Sequence, residues 1–253
     1  MLVIRQEQQE QLKRYALEQY AERTLQQFRR YFPRHCQIIG DGPMRNMILL
    51  GVERAKRYGI LGECNVVLYT SLMLLFGSYF DEDPQYPWAA AALGDASLST
   101  EAQQAERLYD RGVQEWQLMA GENNMDLVRA LARSRKLSYE EIAGTPASGL
   151  IEFFKTQHPE KARSLGDARM DGLIRKSRRR ASKHGLTTPA TQVVVSGIAF
   201  FVGAGFDEDP MYPWAKDTLA SKDLKPDEKA RALHRHTMEY AQAWLLHVER
   251  GAA

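Results

Sequence analysis

Apolar residues recur along most of this chain at steps of three and four, the spacing that places them on one face of an α-helix. The opening segment carries such residues at every fourth position from Leu12 to Phe28. A second stripe runs from Met44 to Tyr58, and further stripes cover 102–116 and 230–248. The pattern therefore predicts an all-α protein.

Two segments, 66–76 and 193–201, are apolar on most faces rather than on one. A helix of this kind belongs at the centre of a bundle. Thr188 and Pro189 precede the second segment and are typical of an N-cap and a first helical residue. Three consecutive valines, 193–195, also fit a buried strand. Helix is the prediction and strand the alternative, because the matching segment 68–76 is not rich in β-branched residues.

The chain repeats itself at a constant offset of 126 residues. Phe80–Ala89 reads FDEDPQYPWA and Phe206–Ala215 reads FDEDPMYPWA, so nine of ten positions agree. Matches continue without a gap over some seventy positions, and Gly59 and Gly185 end the same helix in both copies. The repeat predicts two tandem pseudo-symmetric helical-bundle repeats, 1–126 and 127–253, packed into one body.

The copies differ at their entry. The sequence GTPASG at 144–149 interrupts the opening helix of the second copy. Ser138 and Glu141 have the spacing of a capping box, which predicts a short helix just before this interruption. The segment 125–136 reads as a helix that connects the halves.

The repeated phrase is interpreted first as a structural corner. Pro87 suits a first helical position and Asp83 with Pro84 suits a turn, while Phe80 and Trp88 supply apolar surface on either side. One alternative is a hard-cation site at the three acids. The other is an exposed protein-binding patch of acids and aromatic anchors. The candidate protein-binding residues in the two copies are Asp81, Glu82, Asp83, Tyr86, Trp88, Asp207, Glu208, Asp209, Tyr212 and Trp214.

The most charged stretch is RKSRRRASK, at 175–183. It shares a predicted helix with Ile174 and Ala181, so its cations are expected on the solvent side. Such a run is most often a solvated face, but it also fits an acidic protein surface or phosphate groups. Arg178, Arg179 and Arg180 therefore join the candidate protein-binding residues.

Charge and composition narrow the class of protein. The net charge is +2, and the first 126 residues carry 13 Lys and Arg against 17 Asp and Glu. This balance favours neither nucleic acid nor a membrane as partner. The first fifteen residues lack the apolar core of a signal peptide, and the longest apolar run is too short to span a bilayer. With two isolated cysteines, the expected location is cytoplasmic.

No catalytic motif stands out. His234 and His236 are two residues apart and point to different sides of a helix, which makes a poor metal pair. His35 adjoins Cys36, and neighbours in a chain rarely face each other as base and nucleophile do. The prediction is therefore a non-enzyme with no catalytic residue, no metal and no cofactor, and an enzyme is the less favoured alternative.

Three phrases of the first copy resemble a group of small bacterial proteins whose genes accompany spike, PAAR-tip and toxin genes of type VI secretion systems. Their RA..YGI element matches Arg54-Ala55 and 58–60, LM...G matches 72–77, and FD.DP..PWA matches 80–89. The second copy matches less well, since KHGL replaces YGI and three valines depart from the LM element. These phrases mark a family without assigning catalysis.

The resemblance implies a cytoplasmic protein that binds a secreted toxin or a spike component. The first expectation is an immunity protein that neutralises a cognate toxin. An adaptor or chaperone that loads a toxin onto the spike is the alternative.

Overall fold

The computed structural model describes residues 5–251. Met1–Ile4, the first residues of the segment considered for a signal peptide, lie outside the described residues. The side chain of Val248, from the last predicted stripe, also lies outside them. The described chain is all-α, with 79% of residues in helix and no strand. Among these residues, no helix combines the length and apolar character needed to cross a bilayer.

Six helices form the first half. They are α1 (Gln6–Tyr31), α2 (Pro33–Ile39), α3 (Asp41–Arg57), α4 (Glu63–Phe76), α5 (Pro87–Leu93) and α6 (Glu101–Ala120). A 3-10 turn at Phe80–Glu82 lies between α4 and α5.

Seven helices follow in the second half. They are α7 (Met125–Ser134), α8 (Tyr139–Ala143), α9 (Leu150–Gln157), α10 (Pro159–Lys183), α11 (Pro189–Val202), α12 (Pro213–Ala220) and α13 (Pro226–Gly251). From α10 onward, helix bounds fall close to 126 residues after those of α2 to α6, and α10 is kinked at Gly166 where α2 and α3 are separate.

The local signals at helix ends are confirmed. Gly59 and Gly185 follow α3 and α10 with φ of 75° and 77°, a left-handed conformation that glycine adopts without penalty. The side chain of Thr188 accepts the Thr191 N–H at the start of α11. Ser138 and Glu141 form the predicted capping box at α8.

The central helices are α4 and α11. The α4 helix packs between α3 and α6, and α11 packs against α10, α8 and α13. Val193, Val194 and Val195 are all buried in α11, so the strand alternative is wrong. A helix covered by neighbours on several sides tolerates β-branched residues, because burial outweighs their small helix penalty.

Besides α6 and α7, which follow one another in the chain, two pairs of helices join the halves. The α10 helix of the second half packs against α6, and α13 packs against α2 of the first half. One element extends beyond this body: residues 5–19 of α1 are all exposed, including Leu12 at 58% and Tyr15 at 62%. The continuous packing of the rest places both repeated turns in the interior.

Candidate functional site

Each repeated turn sends one carboxylate into the other half of the molecule. Asp83 accepts the backbone N–H of Ala204 at 2.7 Å and that of Gln85 at 2.9 Å. Asp209 accepts the backbone N–H of Ser78 at 2.7 Å and its hydroxyl at 2.6 Å. Both acids are almost fully buried. The two turns therefore bind each other's half reciprocally.

The backbones of the halves also touch at this point. Gly77 has a φ of 91° and Gly203 a φ of 103°, a region that residues with a Cβ rarely adopt. A Cβ on Gly77 would lie 2.8 Å from the Val202 carbonyl oxygen, and one on Gly203 would lie 2.9 Å from that of Phe76. Neither site has room for a side chain.

The first acid of each turn pairs within its own half. Arg54 Nη2 lies 2.5 Å from Asp81 Oδ1, and both side chains are at most 2% exposed. The Tyr58 hydroxyl donates to the same carboxylate at 2.8 Å. These buried groups form a closed, mutually satisfied ion pair.

The second turn repeats this pair with more exposure. Arg180 Nε lies 2.6 Å from Asp207, and the arginine side chain is 18% exposed. His184 takes the place of Tyr58, with its Nε2 at 2.9 Å from Asp207. The middle acid, Glu208, also binds Arg180 and is itself 59% exposed.

The three acids of a turn do not converge on a common point. Asp81 faces Arg54, Asp83 faces Ala204 of the other half, and Glu82 is half exposed. Among the described residues, no group of three His, Cys, Asp or Glu has a metal-binding arrangement. The hard-cation interpretation of the acids is therefore wrong in this geometry, because Asp81 and Glu82 already share Arg54 as their partner and Asp83 faces the other half.

The exposed-patch interpretation is also wrong for most of the aromatic residues. Tyr86, Trp88 and Tyr212 are buried. Trp88 packs on Gly112, where an added Cβ would lie 3.2 Å from the indole Cη2. The corner interpretation accounts for them, because their rings fill the core on either side of each turn.

Trp214 is the exception among the aromatic residues of the turns. Its side chain is only half buried, beside His236. The residue that corresponds to Gly112 in the second half is Met238, which is larger than the glycine that leaves room for Trp88. Of the predicted residues in the two turns, Glu82, Glu208 and Trp214 reach the surface.

The sequence predicts that the basic run lies on the solvent side of its helix. The structure places only part of it there. Arg180 turns inward to Asp207, and Lys176 donates to the Glu82 carbonyl oxygen. Arg179 is exposed and Arg178 is half buried. Arg180 and Lys176 turn inward because the turns offer them hydrogen-bond acceptors. The periodicity of α10 alone does not predict where those acceptors lie.

The sequence does not predict the buried amine of Lys161 near the first turn. Lys161 Nζ donates to the Tyr86 hydroxyl at 3.1 Å and to the Phe200 carbonyl oxygen. Burial lowers the pKa of Lys161 to about 8. The only signal is a lysine at an apolar-stripe position, matched by His35 in the first half. Burial of His35 against Trp244 lowers its pKa to about 4.

The buried carboxylates are shifted as well. Burial raises the pKa of Asp209 to about 6, against hydrogen bonds from Ser78 and Met211 that lower it. Burial also raises the pKa of Asp83, and the nearby Lys161 opposes that shift. Both turns therefore hold charge in the interior at an energetic cost that hydrogen bonds offset.

A cavity of about 10 Å³ adjoins the second turn, lined by Ser177, His184 and Asp207 among others. This trio has the residue types of a hydrolytic triad. Ser177 Oγ has no hydrogen-bond partner and the residue is 1% exposed. His184 therefore braces Asp207 without activating this hydroxyl, and a substrate has no route to it.

Comparisons with protein-family models, with curated protein sequences and with solved structures found no match for this chain.

Proposed function

We propose that the protein is a non-catalytic, protein-binding protein built from two pseudo-symmetric helical repeats. Matching helix bounds, the paired turns and the reciprocal bonds of Asp83 and Asp209 support the repeat. In this proposal the turns hold the halves in one arrangement, so that their outer surfaces act as a single rigid face. The boundary at 126 stays a prediction.

The observation that carries the proposal is the difference between Trp88 and Trp214. The first is 7% exposed and the second is half buried beside His236. Trp214 packs against the core but keeps part of its ring accessible, and tryptophan is a frequent hot spot at protein interfaces. We place the main partner contact at Trp214, with Glu208 and Arg179 as further candidates.

The biological role proposed is that of a cytoplasmic immunity protein of a type VI secretion locus. It rests on the resemblance of the RA..YGI, LM...G and FD.DP..PWA phrases. The partner would be the toxin that the protein neutralises in the producing cell.

Co-expression with the toxin encoded beside this gene tests the proposal. We expect a complex that survives gel filtration and in which the toxin is inactive. Trp214→Ala should weaken the complex by at least about tenfold, because hot-spot residues contribute about 2 kcal/mol or more. Titration calorimetry measures the affinity and circular dichroism checks that the fold is kept.

Tyr31→Ala is the matched control, since Tyr31 is a 68% exposed aromatic residue at the end of α1, far along the chain from the turns. Its affinity should equal that of the unaltered protein. A toxin that stays fully active inside the complex would replace the immunity role by the loading role. If no complex forms, the proposed function is wrong.

A further inference from the structure

The last turns of α10 hold more cations than the fold uses. Residues 175–183 contain six Lys and Arg in nine positions. Three of them have internal partners: Arg175 binds Asp171, Lys176 binds the Glu82 carbonyl and Arg180 binds Asp207. No acid lies within ion-pair distance of Arg178, Arg179 or Lys183 in the part of the chain that the structure describes.

Three of these cations form a line. Arg175, Arg179 and Lys183 are spaced four residues apart on α10, and all three are exposed. Four residues of helix rise about 6 Å, so the charges follow one another along the outer side of the helix. We call Arg175, Arg179 and Lys183 the α10 ridge.

The first half shows that the bundle does not need this ridge. The corresponding positions in α3 are Leu49, Glu53 and Arg57, which carry no net charge. Basic residues near a helix C-terminus do offset its dipole. The α3 helix meets that need with Lys56 and Arg57, within about the last turn. The dipole therefore accounts for Lys183, the counterpart of Arg57, but not for Arg175 and Arg179, whose counterparts are Leu49 and Glu53.

The acids around the ridge decide between two classes of partner. Asp171 is half exposed at one end, and Glu208 is 59% exposed next to Arg180. These carboxylates would repel a continuous phosphate backbone, and tight nucleic-acid binding commonly uses about six or more phosphate contacts. A protein surface with its own pattern of charges accommodates both signs.

We infer that the α10 ridge docks an acidic surface of the protein partner, in the form of a helix or edge that presents carboxylates about 6 Å apart. The inference rests on the proposed function and names the chemistry of its partner. Exposed ion pairs add little affinity, because solvent screens them. The ridge therefore acts mainly on the rate of association, while Trp214 supplies the lasting contact.

Stopped-flow measurement of association with the co-expressed toxin tests the ridge. Arg179→Glu with Lys183→Glu should lower the association rate constant at least about tenfold at low salt and leave dissociation nearly unchanged. The difference should shrink as salt is raised. Lys13→Glu with Arg14→Glu removes the same number of exposed cations from α1 and is the matched control; its rates should stay within about twofold of the unaltered protein.

Equal slowing by both double variants overturns the inference, since it would report net charge rather than the ridge. An unchanged rate in the Arg179/Lys183 variant also overturns it, while a complex that still forms leaves the proposed function intact.

A second measurement does not need the toxin. The intact protein is titrated with two labelled helical peptides of equal composition, one with Glu at every fourth position and one with Glu spread around the helix, and with duplex DNA. We expect the four-residue peptide to bind best and the Arg179/Lys183 variant to lose that preference. Preference for DNA, or for neither peptide, contradicts an acidic protein partner even if a toxin complex exists.

Discussion

The two acidic turns have nearly the same sequence and yet differ in how tightly they are enclosed. In the first turn Arg54 and Asp81 are buried together, and Tyr58 closes the pair. In the second turn the corresponding Arg180 is 18% exposed and His184 replaces the tyrosine. The turns themselves do not cause the difference, since nine of ten residues agree. Their surroundings do.

Two substitutions in the packing around the turns accompany this difference. Gly112 leaves room for Trp88, whereas the second half has the larger Met238 at that position. Tyr69 is fully buried beside the first ion pair, and its counterpart Val195 lines a small cavity beside the second. The repeated motif thus joins the halves in both turns, while its ion pair is more exposed in the second turn than in the first.

The largest effect is expected at the buried ion pair of the first half. Arg54→Ala leaves Asp81 buried without its partner and should lower the free energy of unfolding by about 3–5 kcal/mol. Arg180→Ala should cost only about 1–2 kcal/mol, because Arg180 is itself partly exposed and His184 still contacts Asp207. Urea denaturation of both variants measures the difference. Equal losses in the free energy of unfolding would contradict the conclusion that the first ion pair is more enclosed than the second.

The glycine pair should respond alike in the two halves. Gly77→Ala and Gly203→Ala each force a Cβ to within 3 Å of a carbonyl oxygen of the opposite half, at a left-handed φ. We expect each to destabilise the protein by roughly 3 kcal/mol. Gly42→Ala is the control, since an added Cβ there meets nothing within 4 Å. A loss in only one of the two variants would argue against reciprocal contact.

Much of this architecture follows from local sequence signals. The helices, the caps at Thr188 and Ser138 and the helix start at Pro87 all depend on residues within a turn or two. The burial of Phe80 and Trp88 is also predictable, since their size favours the core. These features need no knowledge of the partner half.

The candidate site is less predictable because its contacts are long-range. Asp83 and Ala204 are 121 residues apart, and Asp209 and Ser78 are 131 apart. An acid before a proline predicts a turn equally well whether its carboxylate faces water or another helix. The burial of Lys161 and the exposure of Trp214 likewise depend on neighbours that only the folded chain supplies.

The pH dependence of stability should report the raised pKa of Asp209. Burial raises the pKa of Asp209 to about 6, while an unfolded aspartate titrates near pH 4. The folded state therefore binds the proton more tightly, and this contribution is full below about pH 4 and lost as the pH rises through about 6. The loss should be on the order of 2 kcal/mol.

Asp209→Asn should flatten the stability profile in that window when unfolding is followed at several pH values. Asp83→Asn should change the profile in the same direction, because burial also raises the pKa of Asp83. The contrary result is a stability that rises between pH 4 and 6 in the unaltered protein and loses that rise in Asp209→Asn. That result would mean that the hydrogen bonds from Ser78 lower the pKa of Asp209 more than burial raises it.

The smallest effect concerns the two tryptophans, and it bears most directly on the partner contact. A Cβ on Gly112 would lie 2.4 Å from Leu72 and 3.2 Å from Trp88, so Gly112→Ala should cost about 1–2 kcal/mol through overpacking. Met238→Ala should cost less than about 1 kcal/mol, because it removes only half-buried surface and opens space into which Trp214 can sink. Its tryptophan emission should then shift to shorter wavelength, as an indole that leaves water does.

If Trp214 is the anchor of the partner contact, the same variant should bind the toxin more weakly than its stability loss explains. Unchanged emission would show that something other than Met238 keeps this ring at the surface.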